Sequence, residues 1–472
     1  MKKAISLLLA VSMLLSVCTV AFAEEGASEL GSPYPIIFVK GFGGSIYKEL
    51  DTDSPKKLLQ TKSILSSVPD IIMALFYGFI TENYEKSADK INSAVNRICD
   101  GIGCDENGNP IEGTGVKTQP VENIIEASDS YILTKDDADY VGNPRFEYDY
   151  RKDPMLVADE LNAFIKDVKR VTGKSKVILV SHSEGTCMTS AYLTAYGSDD
   201  LAKLIFLSGA YQGLSTVSQI FTKQIDCGEN ADEFELFIST YLKFNKLGKI
   251  LIPLVRFLNK TNALDRLLHG LNAIINTQFD RLLDGSLRDT FSTMPALWTF
   301  VEPSSYEAAK VAMFGDDIQK YSGLIEKTDY YCYNVQQKLP ETINNCIENG
   351  VPVLICSGYA VNVIPLGANK NNQSDFLIDT LNTSIGATCS EMEQVLKYDG
   401  KFVSPDKMVD ASTCLFPEQT WFFKYQEHNS WSEDYMKFLN WAIAFDGQPT
   451  INDNPEYPQF MELTGSGLIP VK

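Results

Sequence analysis

Residues 176–193, "KVILVSHSEGTCMTSAYL", join an apolar run directly to a helical pattern, and a serine stands at the junction. The run "KVILV" is rich in β-branched and apolar side chains, which is typical of a buried strand. A tight turn from strand to helix lifts a hydroxyl out of a sheet, and it requires small residues two positions before and after the serine. Ser181 and Gly185 meet this requirement. The stretch therefore favours Ser183 as a nucleophile, and the alternative is an ordinary turn serine.

Strand-like and helical patterns alternate over most of the chain. Further strands are predicted at "PIIFV", "FEYDYR", "LAKLIFLSGA", "VPVLICSGY" and "TWFFKY". Helices are predicted over 67–98, from Asp153-Pro154 to Thr172-Gly173, and over 431–445. Several strands are apolar throughout, which is typical of strands buried on both faces. The sequence therefore predicts an α/β fold with a mostly parallel sheet and helices on both faces.

Residues 214–350 interrupt this alternation with helical patterns and no convincing strand. Examples are "ELFISTYLKFNKLGKILIPLVRFLNK" and "ALDRLLHGLNAIINTQFDRLL". We interpret 214–350 as a helical cap inserted between two parts of one α/β core, residues 24–213 and 351–472. A separate helical domain is the alternative, since the length allows it.

The amino-terminal segment has the pattern of a secretory signal peptide. Residues 1–23 contain two lysines, an apolar run and a small-x-small end, which predicts cleavage after Ala23. A lipid anchor on Cys18 is the alternative, but Val17 stands where such sites usually have a small residue. No later segment is long and apolar enough to span a bilayer. We therefore expect a secreted, extracellular protein.

The net charge bears on which molecules the protein can bind, and the cysteine content bears on its disulfides. The formal net charge is −20, and so acidic a surface repels phosphate backbones, which disfavours nucleic acid as a partner. Nine cysteines remain after the predicted cleavage, so at least one is unpaired or pairs between chains. Cys99 with Cys104, and Cys389 with Cys414, flank loops and are candidate disulfides. No spacing indicates a zinc site, no motif indicates a cofactor, and the oligomeric state is unknown.

A nucleophilic serine needs a base, and the chain offers three histidines for this role. His182 adjoins the serine, and on such a turn its side chain is expected to point away from it. His269 lies on an amphipathic pattern in the predicted cap. His428 follows a predicted strand, and loops at the carboxyl ends of parallel strands are where such sheets gather their chemistry. We therefore predict His428 as the base.

The acid that orients the base should follow the strand "VPVLICSGY", in the order Ser, Asp, His. The segment "NNQSDFLID" offers Asp375 and Asp379. Asp375 is favoured because it lies in the loop before the apolar triplet "FLI", and Asp379 stays a rival. Asp399, Asp406 and Asp410 are further candidates with less support.

Two backbone amides are candidates for an oxyanion hole, which binds the negative oxygen formed during acyl transfer. The amide of Glu184 opens a predicted helix, whose dipole favours negative charge. The glycines of "KGFGGS" allow close approach of the backbone to a substrate, and the amide of Phe42 in this loop is the second candidate.

Several segments together resemble the lecithin:cholesterol acyltransferase-like family of α/β-hydrolase lipases. "PIIFVKGFGGS" resembles its opening "PV-x-x-V-P-G-x-G-G-S", with Lys40 in place of proline or histidine. "FEYDYRKDP" resembles "YDWR-x-x-P", with Tyr150 in place of tryptophan. "VILVSHSEG" resembles "V-x-L-V-x-H-S-M-G", with Glu184 in place of methionine, and "NQSDFLID" resembles the acid loop "S-D-G-x-V".

The resemblance implies an α/β-hydrolase fold with a triad of Ser183, Asp375 and His428, and with Phe42 and Glu184 as oxyanion donors. It supports Asp375 over Asp379. The Glu184 carboxylate is expected beside the site, where it would disfavour anionic substrates.

Together these features predict a secreted serine carboxylic-ester hydrolase that acts on a lipid or small ester through an acyl-enzyme. A transient contact of the cap with a lipid interface is compatible with this activity. Two alternatives stay open: acyl transfer to an alcohol by the same triad, and a catalytically inert binding protein on a hydrolase fold.

Overall fold

The computed structural model describes residues 31–472, except 51, 53, 60, 134–143, 225–230, 242–247, 364–370 and 466. The predicted signal peptide with its cleavage site after Ala23, and the alternative anchor at Cys18, lie outside the described residues.

An eight-stranded sheet forms the centre of the described fold. Its strands are β1 (Ile36–Val39), β2 (Arg145–Phe146), β3 (Val177–His182), β4 (Leu201–Leu207), β5 (Val353–Tyr359), β6 (Thr420–Lys424), β7 (Phe460–Thr464) and β8 (Gly467–Pro470). They lie in the order β8-β7-β6-β5-β4-β3-β1-β2. All neighbours are parallel except β7 and β8. The predicted α/β class with a mostly parallel sheet flanked by helices is confirmed.

Three small antiparallel sheets lie outside the central sheet. One joins Tyr47–Lys48 to Lys56–Lys57 and Thr114–Gly115, a second joins Val361–Asn362 to Gln373–Ser374, and the third joins Thr388–Cys389 to Val409–Asp410.

The described part of the chain contains thirteen α-helices. They are α1 (Thr61–Thr81), α2 (Tyr84–Cys99), α3 (Pro154–Thr172), α4 (Glu184–Tyr196), α5 (Ser215–Phe221), α6 (Ala231–Tyr241), α7 (Gly248–Lys260), α8 (Ala263–Leu282), α9 (Tyr306–Phe314), α10 (Ser322–Tyr330), α11 (Leu339–Glu348), α12 (Thr380–Thr383) and α13 (Glu433–Ala444). None of these described helices has the length and apolar character needed to cross a bilayer.

Helix α3 follows the local signals of the sequence. The Asp153 carboxylate accepts a hydrogen bond from the amide of Met155 at 3.0 Å, and Pro154 occupies the first turn. Gly173 ends the helix with φ 68°, a left-handed conformation that glycine adopts without steric cost. One face of the helix is buried, and its apolar members are Val157, Ala158, Leu161, Ile165 and Val168.

Helix α4 packs directly on the end of β1 because Gly185 has no side chain. A Cβ atom on Gly185 would lie 2.2 Å from the carbonyl oxygen of Val39 and 2.6 Å from that of Lys40. The helix is buried from Glu184 to Leu193. This close approach brings the carboxyl ends of β1 and β3 together, at the edge of the sheet where the candidate site lies.

The helical layer is built from two separate stretches of chain. Helices α5–α11 lie between β4 and β5, within the region predicted as a cap, and α1 and α2 from residues 61–99 pack on α8. Asn92 of α2 donates to the carbonyl of Arg281 at 2.9 Å and accepts from Ser286 at 2.7 Å. The cap was predicted as 214–350 only, because no pattern in 61–99 indicates which helix its apolar face contacts.

The two candidate disulfides are not formed in this structure. All eight cysteines of the described residues are unpaired thiols. The Cys104 sulfur lies 3.8 Å from the carbonyl oxygen of Arg151, and the Cys389 sulfur lies 3.7 Å from that of Ala387. Burial raises the pKa of Cys104 and of Cys414 to about 12, so these thiols stay protonated at neutral pH.

A buried lysine ends helix α13. Lys203 of β4 donates from Nζ to the carbonyl oxygens of Ala442 at 2.6 Å, Ile443 at 3.2 Å and Phe445 at 2.7 Å. The last carbonyls of a helix have no partner within the helix, and a cation there also complements the helix dipole. Lys203 therefore fastens α13 to the central sheet.

Replacement of Lys203 by methionine should lower the free energy of unfolding by about 2–4 kcal/mol, because two buried carbonyls and one partly buried carbonyl lose a charged donor. Chemical denaturation monitored by circular dichroism measures the change. Lys166→Met, at an exposed position of α3, is the matched control and should change stability by less than about 0.5 kcal/mol. Equal stability of the two variants would contradict the role of Lys203.

Candidate active site

Ser183 lies between β3 and α4 in a strained backbone conformation. Its φ of 54° and ψ of −125° are rarely adopted by residues with a side chain. Such a conformation costs on the order of 1–3 kcal/mol and persists when surrounding contacts impose it. Here the Ser183 amide donates to the Leu207 carbonyl at 3.1 Å, and the Ser183 carbonyl accepts from the amides of Thr186 and Ala210. The turn therefore holds Ser183 at the end of the strand, as the sequence pattern predicts.

The glycine-rich loop after β1 lies against this serine. A Cβ atom on Gly41 would lie 2.8 Å from the Cβ of Ser183. The Phe42 ring packs at the edge of Tyr150 and Phe300, with ring centroids 4.6 and 5.7 Å apart. The amides of Phe42 and Glu184 donate to no group among the described residues, which is what an oxyanion hole requires of its donors.

His428 and Asp375 form a direct hydrogen bond. His428 Nδ1 lies 2.8 Å from Asp375 Oδ2, and the His428 amide donates to the Asp375 carbonyl at 2.8 Å. The other carboxylate oxygen, Oδ1, accepts from the amides of Leu377 at 3.1 Å and Ile378 at 2.8 Å. Because the carboxylate accepts, Nδ1 carries a proton and Nε2 is left as the basic nitrogen.

The Asp375 carboxylate is fully buried and ionised. Burial raises its pKa, but the charge of His428, the hydrogen bond from His428 and the two backbone donors lower it, and its pKa lies below the ordinary value. An ionised carboxylate in this position fixes the orientation of the imidazole.

The rival acids make other contacts. Asp379 accepts from the hydroxyl of Ser215, from the Ser215 amide at 3.3 Å, and from Asn372 at 2.7 Å. These bonds hold the loop onto the start of α5, so Asp375 and not Asp379 contacts His428. The remaining candidates also bond elsewhere: Asp399 to Lys407, Asp406 to Lys424, and Asp410 to the amide of Ser412.

The other two histidines have different roles. His182 Nε2 donates to the His428 carbonyl at 2.9 Å, and its ring packs on Trp431. Burial, and then the charge of His428, lower the pKa of His182 to about 3, so it stays neutral and supports the His428 backbone. His269 lies in the helical layer, with its ring at the edge of Phe79.

A cavity of about 1270 Å³ is lined by three of the five predicted site residues. Ser183, His428 and Phe42 all line it. Ser183 Oγ makes no hydrogen bond to a described group, so the contact between the serine and the imidazole is not formed here. Such contacts are often long until substrate binds. The structure thus pairs Asp375 with His428 and places Ser183 on the same cavity.

Glu184 departs from its expected position. Its side chain is fully buried, is absent from the cavity wall, and lies 2.9 Å from the Tyr148 hydroxyl, which is also 2.9 Å from the Lys40 carbonyl. A carbonyl only accepts, so both contacts are satisfied when Tyr148 donates to Lys40 and a protonated Glu184 donates to Tyr148. Burial raises the pKa of Glu184 to about 8. The expected repulsion of anionic substrates therefore does not follow.

Lys40 and Trp431 are examples of cavity-wall residues for which the sequence predicted no role. Lys40 was noted in the sequence only as a departure from a family pattern, and Trp431 was noted only as the start of a helix. A charged residue directly between a buried strand and a glycine loop is the signal that could have identified Lys40, because lysine is rarely buried without a partner.

Comparison with known proteins gives no family. A scan against models of protein families found no match, and a search of curated proteins found none. Among the described residues, no group of three or more His, Cys, Asp or Glu side chains is arranged to hold a metal ion.

Replacement of Glu184 by glutamine should change how stability depends on pH. The unfolded chain ionises this glutamate near pH 4.5 and the folded chain near pH 8, so its contribution to wild-type stability is lost as pH rises between these values. Glutamine does not ionise. The free energy of unfolding of the variant, relative to that of the wild type, should therefore increase by up to a few kcal/mol as pH rises from 4.5 to 8.

Urea denaturation at several pH values measures this gain. Glu348→Gln, at an exposed position at the end of α11, is the control and should follow the wild type. A constant difference between Glu184→Gln and wild type across this range would show that Glu184 is already ionised in the folded protein.

Proposed function

We propose that this protein is a secreted serine carboxylic-ester hydrolase with an α/β-hydrolase fold, acting on lipid-like esters. The main support is the bond of 2.8 Å between His428 and a buried Asp375, because His428 lines the same cavity as a serine held in a strained turn. The resemblance of the sequence to lecithin:cholesterol acyltransferase-like lipases supports the same activity. Secretion stays a prediction from residues 1–23.

In this proposal the three side chains act in sequence. Ser183 Oγ attacks the ester carbonyl while His428 Nε2 takes its proton, and Asp375 stabilises the imidazolium that forms. The amides of Phe42 and Glu184 donate to the oxygen that becomes negative. His428 then protonates the leaving alcohol, and a water molecule activated by His428 hydrolyses the acyl-enzyme to release the acid.

The cavity wall favours an ester with an apolar chain and a polar part. Apolar side chains form part of the wall, among them Phe42, Leu214, Phe300, Leu377 and Ile378. Charged residues also line the wall: Lys40, Lys117, Arg145, Glu147, Asp149, Lys152, Glu160 and Asp167. The exposed Ile250 and Phe257 of α7 are compatible with a transient contact of the helical layer with a lipid interface.

Labelling with a fluorophosphonate and hydrolysis of p-nitrophenyl esters test the proposal. The wild type should react with the probe and hydrolyse the esters, and Ser183→Ala should lose both reactions because the nucleophile is removed. Ser175→Ala, at an exposed position before β3, is the control and should behave as the wild type.

The outcomes separate the competing functions. Unchanged turnover in Ser183→Ala would reject this mechanism, and a wild type that neither labels nor hydrolyses would indicate an inert binding protein. Formation of a new ester when an alcohol is added, measured by mass spectrometry, would indicate acyl transfer.

A pair of asparagine variants tests the assignment of the acid. Asp375→Asn should lower kcat by about 10³–10⁴-fold, because the amide favours the wrong tautomer of His428. Asp379→Asn is the matched control from the same loop. It should mainly lower stability, since Asp379 bonds to Ser215 and Asn372. A larger loss of kcat in Asp379→Asn would reverse the assignment.

A further inference from the structure

Lys40 is a buried cation at the edge of the candidate site. It directly follows β1, begins the loop that contains Phe42, and is only 2% exposed while lining the cavity. Burial of an ammonium group is costly unless other groups compensate its charge and satisfy its donors. The groups that contact the Lys40 ammonium therefore show which parts of the fold it connects.

The ammonium group bridges its own loop to a neighbouring strand. Lys40 Nζ donates to the Gly43 carbonyl at 2.5 Å and lies 3.2 Å from Glu147 Oε2. The other oxygen of Glu147 lies 2.9 Å from Nε of Arg145, the first residue of β2. The Tyr148 ring centroid is 5.2 Å from Nζ, within the range of a cation–π contact. Glu147 and the Tyr148 ring compensate part of the charge, while burial lowers the pKa of Lys40, and one of its donors is directed to the loop.

The loop needs such a contact because of its sequence. Gly43 and Gly44 have φ values of 107° and 131°, which residues with side chains rarely adopt. Glycines lose much conformational freedom when they are fixed in one conformation. A Cβ atom on Gly44 would lie 2.7 Å from Lys40 Nζ, so the loop curves closely round the ammonium group. Phe42 lies between Lys40 and Gly43 in the chain. The hydrogen bond from Lys40 to Gly43 therefore closes the loop that contains the Phe42 amide.

We propose that Lys40 is a positioning residue, which holds the Phe42 amide toward the oxygen that becomes negative during ester cleavage. This inference rests on the proposed hydrolase activity. Lys40 acts through the loop and does not touch the reacting atoms. The loss of its bond to Gly43 should weaken stabilisation of the transition state more than binding of the substrate, because the oxyanion forms only in the reaction.

Lys40→Met tests this role by two measurements. Its kcat on a p-nitrophenyl ester should fall about 10–100-fold, with KM changed less than about threefold. Hydrogen–deuterium exchange should become faster in peptides that cover residues 40–46. Lys48→Met, at an exposed position on the strand after this loop, is the matched control and should match the wild type in both measurements.

A second variant covers the case in which Lys40→Met does not fold. The double variant Lys40→Met/Glu147→Gln leaves no unpaired carboxylate and still offers Arg145 an acceptor, and the same changes in kcat and exchange are expected. An active wild type together with unchanged kcat, or with unchanged exchange, in the folded variant overturns the inference. An inactive wild type rejects the hydrolase proposal itself, and this result is visible without any Lys40 variant.

Discussion

The close approach of α4 to the end of β1 is the constraint on which the candidate site depends. With glycine at 185, the helix start lies against the carbonyls of Val39 and Lys40. This contact places the first amide of α4 beside the loop that carries Phe42, and it leaves Ser183 on the turn between β3 and the helix. A larger residue at 185 would separate the two candidate oxyanion donors.

A layer of buried polar groups lies behind this contact. Tyr148 bonds to the Lys40 carbonyl and to Glu184, while the Lys40 ammonium bonds to Gly43 and to Glu147. A layer of this kind fixes backbone positions more sharply than apolar packing, since each donor has few acceptors within reach. In the proposed site, the two candidate oxyanion donors are therefore backbone amides whose positions depend on the side chains packed behind them.

Local signals in the sequence predicted much of the fold. The limits of α3 follow from Asp153, Pro154 and Gly173, whose effects act within a few residues, and the apolar runs gave the inner strands. The short final strands β7 and β8 were not predicted, because they are partly exposed and lack a continuous apolar run. The packing of 61–99 on α8 was missed because it joins segments far apart in the chain.

A site residue was easier to predict when the chain contains few residues of its type, as with histidine. With three histidines in the chain, elimination and position favoured His428. Asp375 was favoured over Asp379 from its place before "FLI" and from the family resemblance, and its bond to His428 in the structure distinguishes it from Asp379. The environment of Glu184 was expected wrongly, because a sequence does not show on which side of a turn a side chain lies. The contacts of Lys40 depend on β2, which is more than a hundred residues away in the chain.

The helical layer consists of two separate segments of chain, and this limits which segments can be removed or exchanged. Residues 61–99 leave the core after β1, and 215–348 leave it after β4, so the layer is joined to the sheet by four chain connections. Deletion of the longer segment alone would expose the apolar faces of α1 and α2. The layer therefore cannot be exchanged as one continuous segment. A chimeric protein with a different helical layer must take both segments from the same source protein.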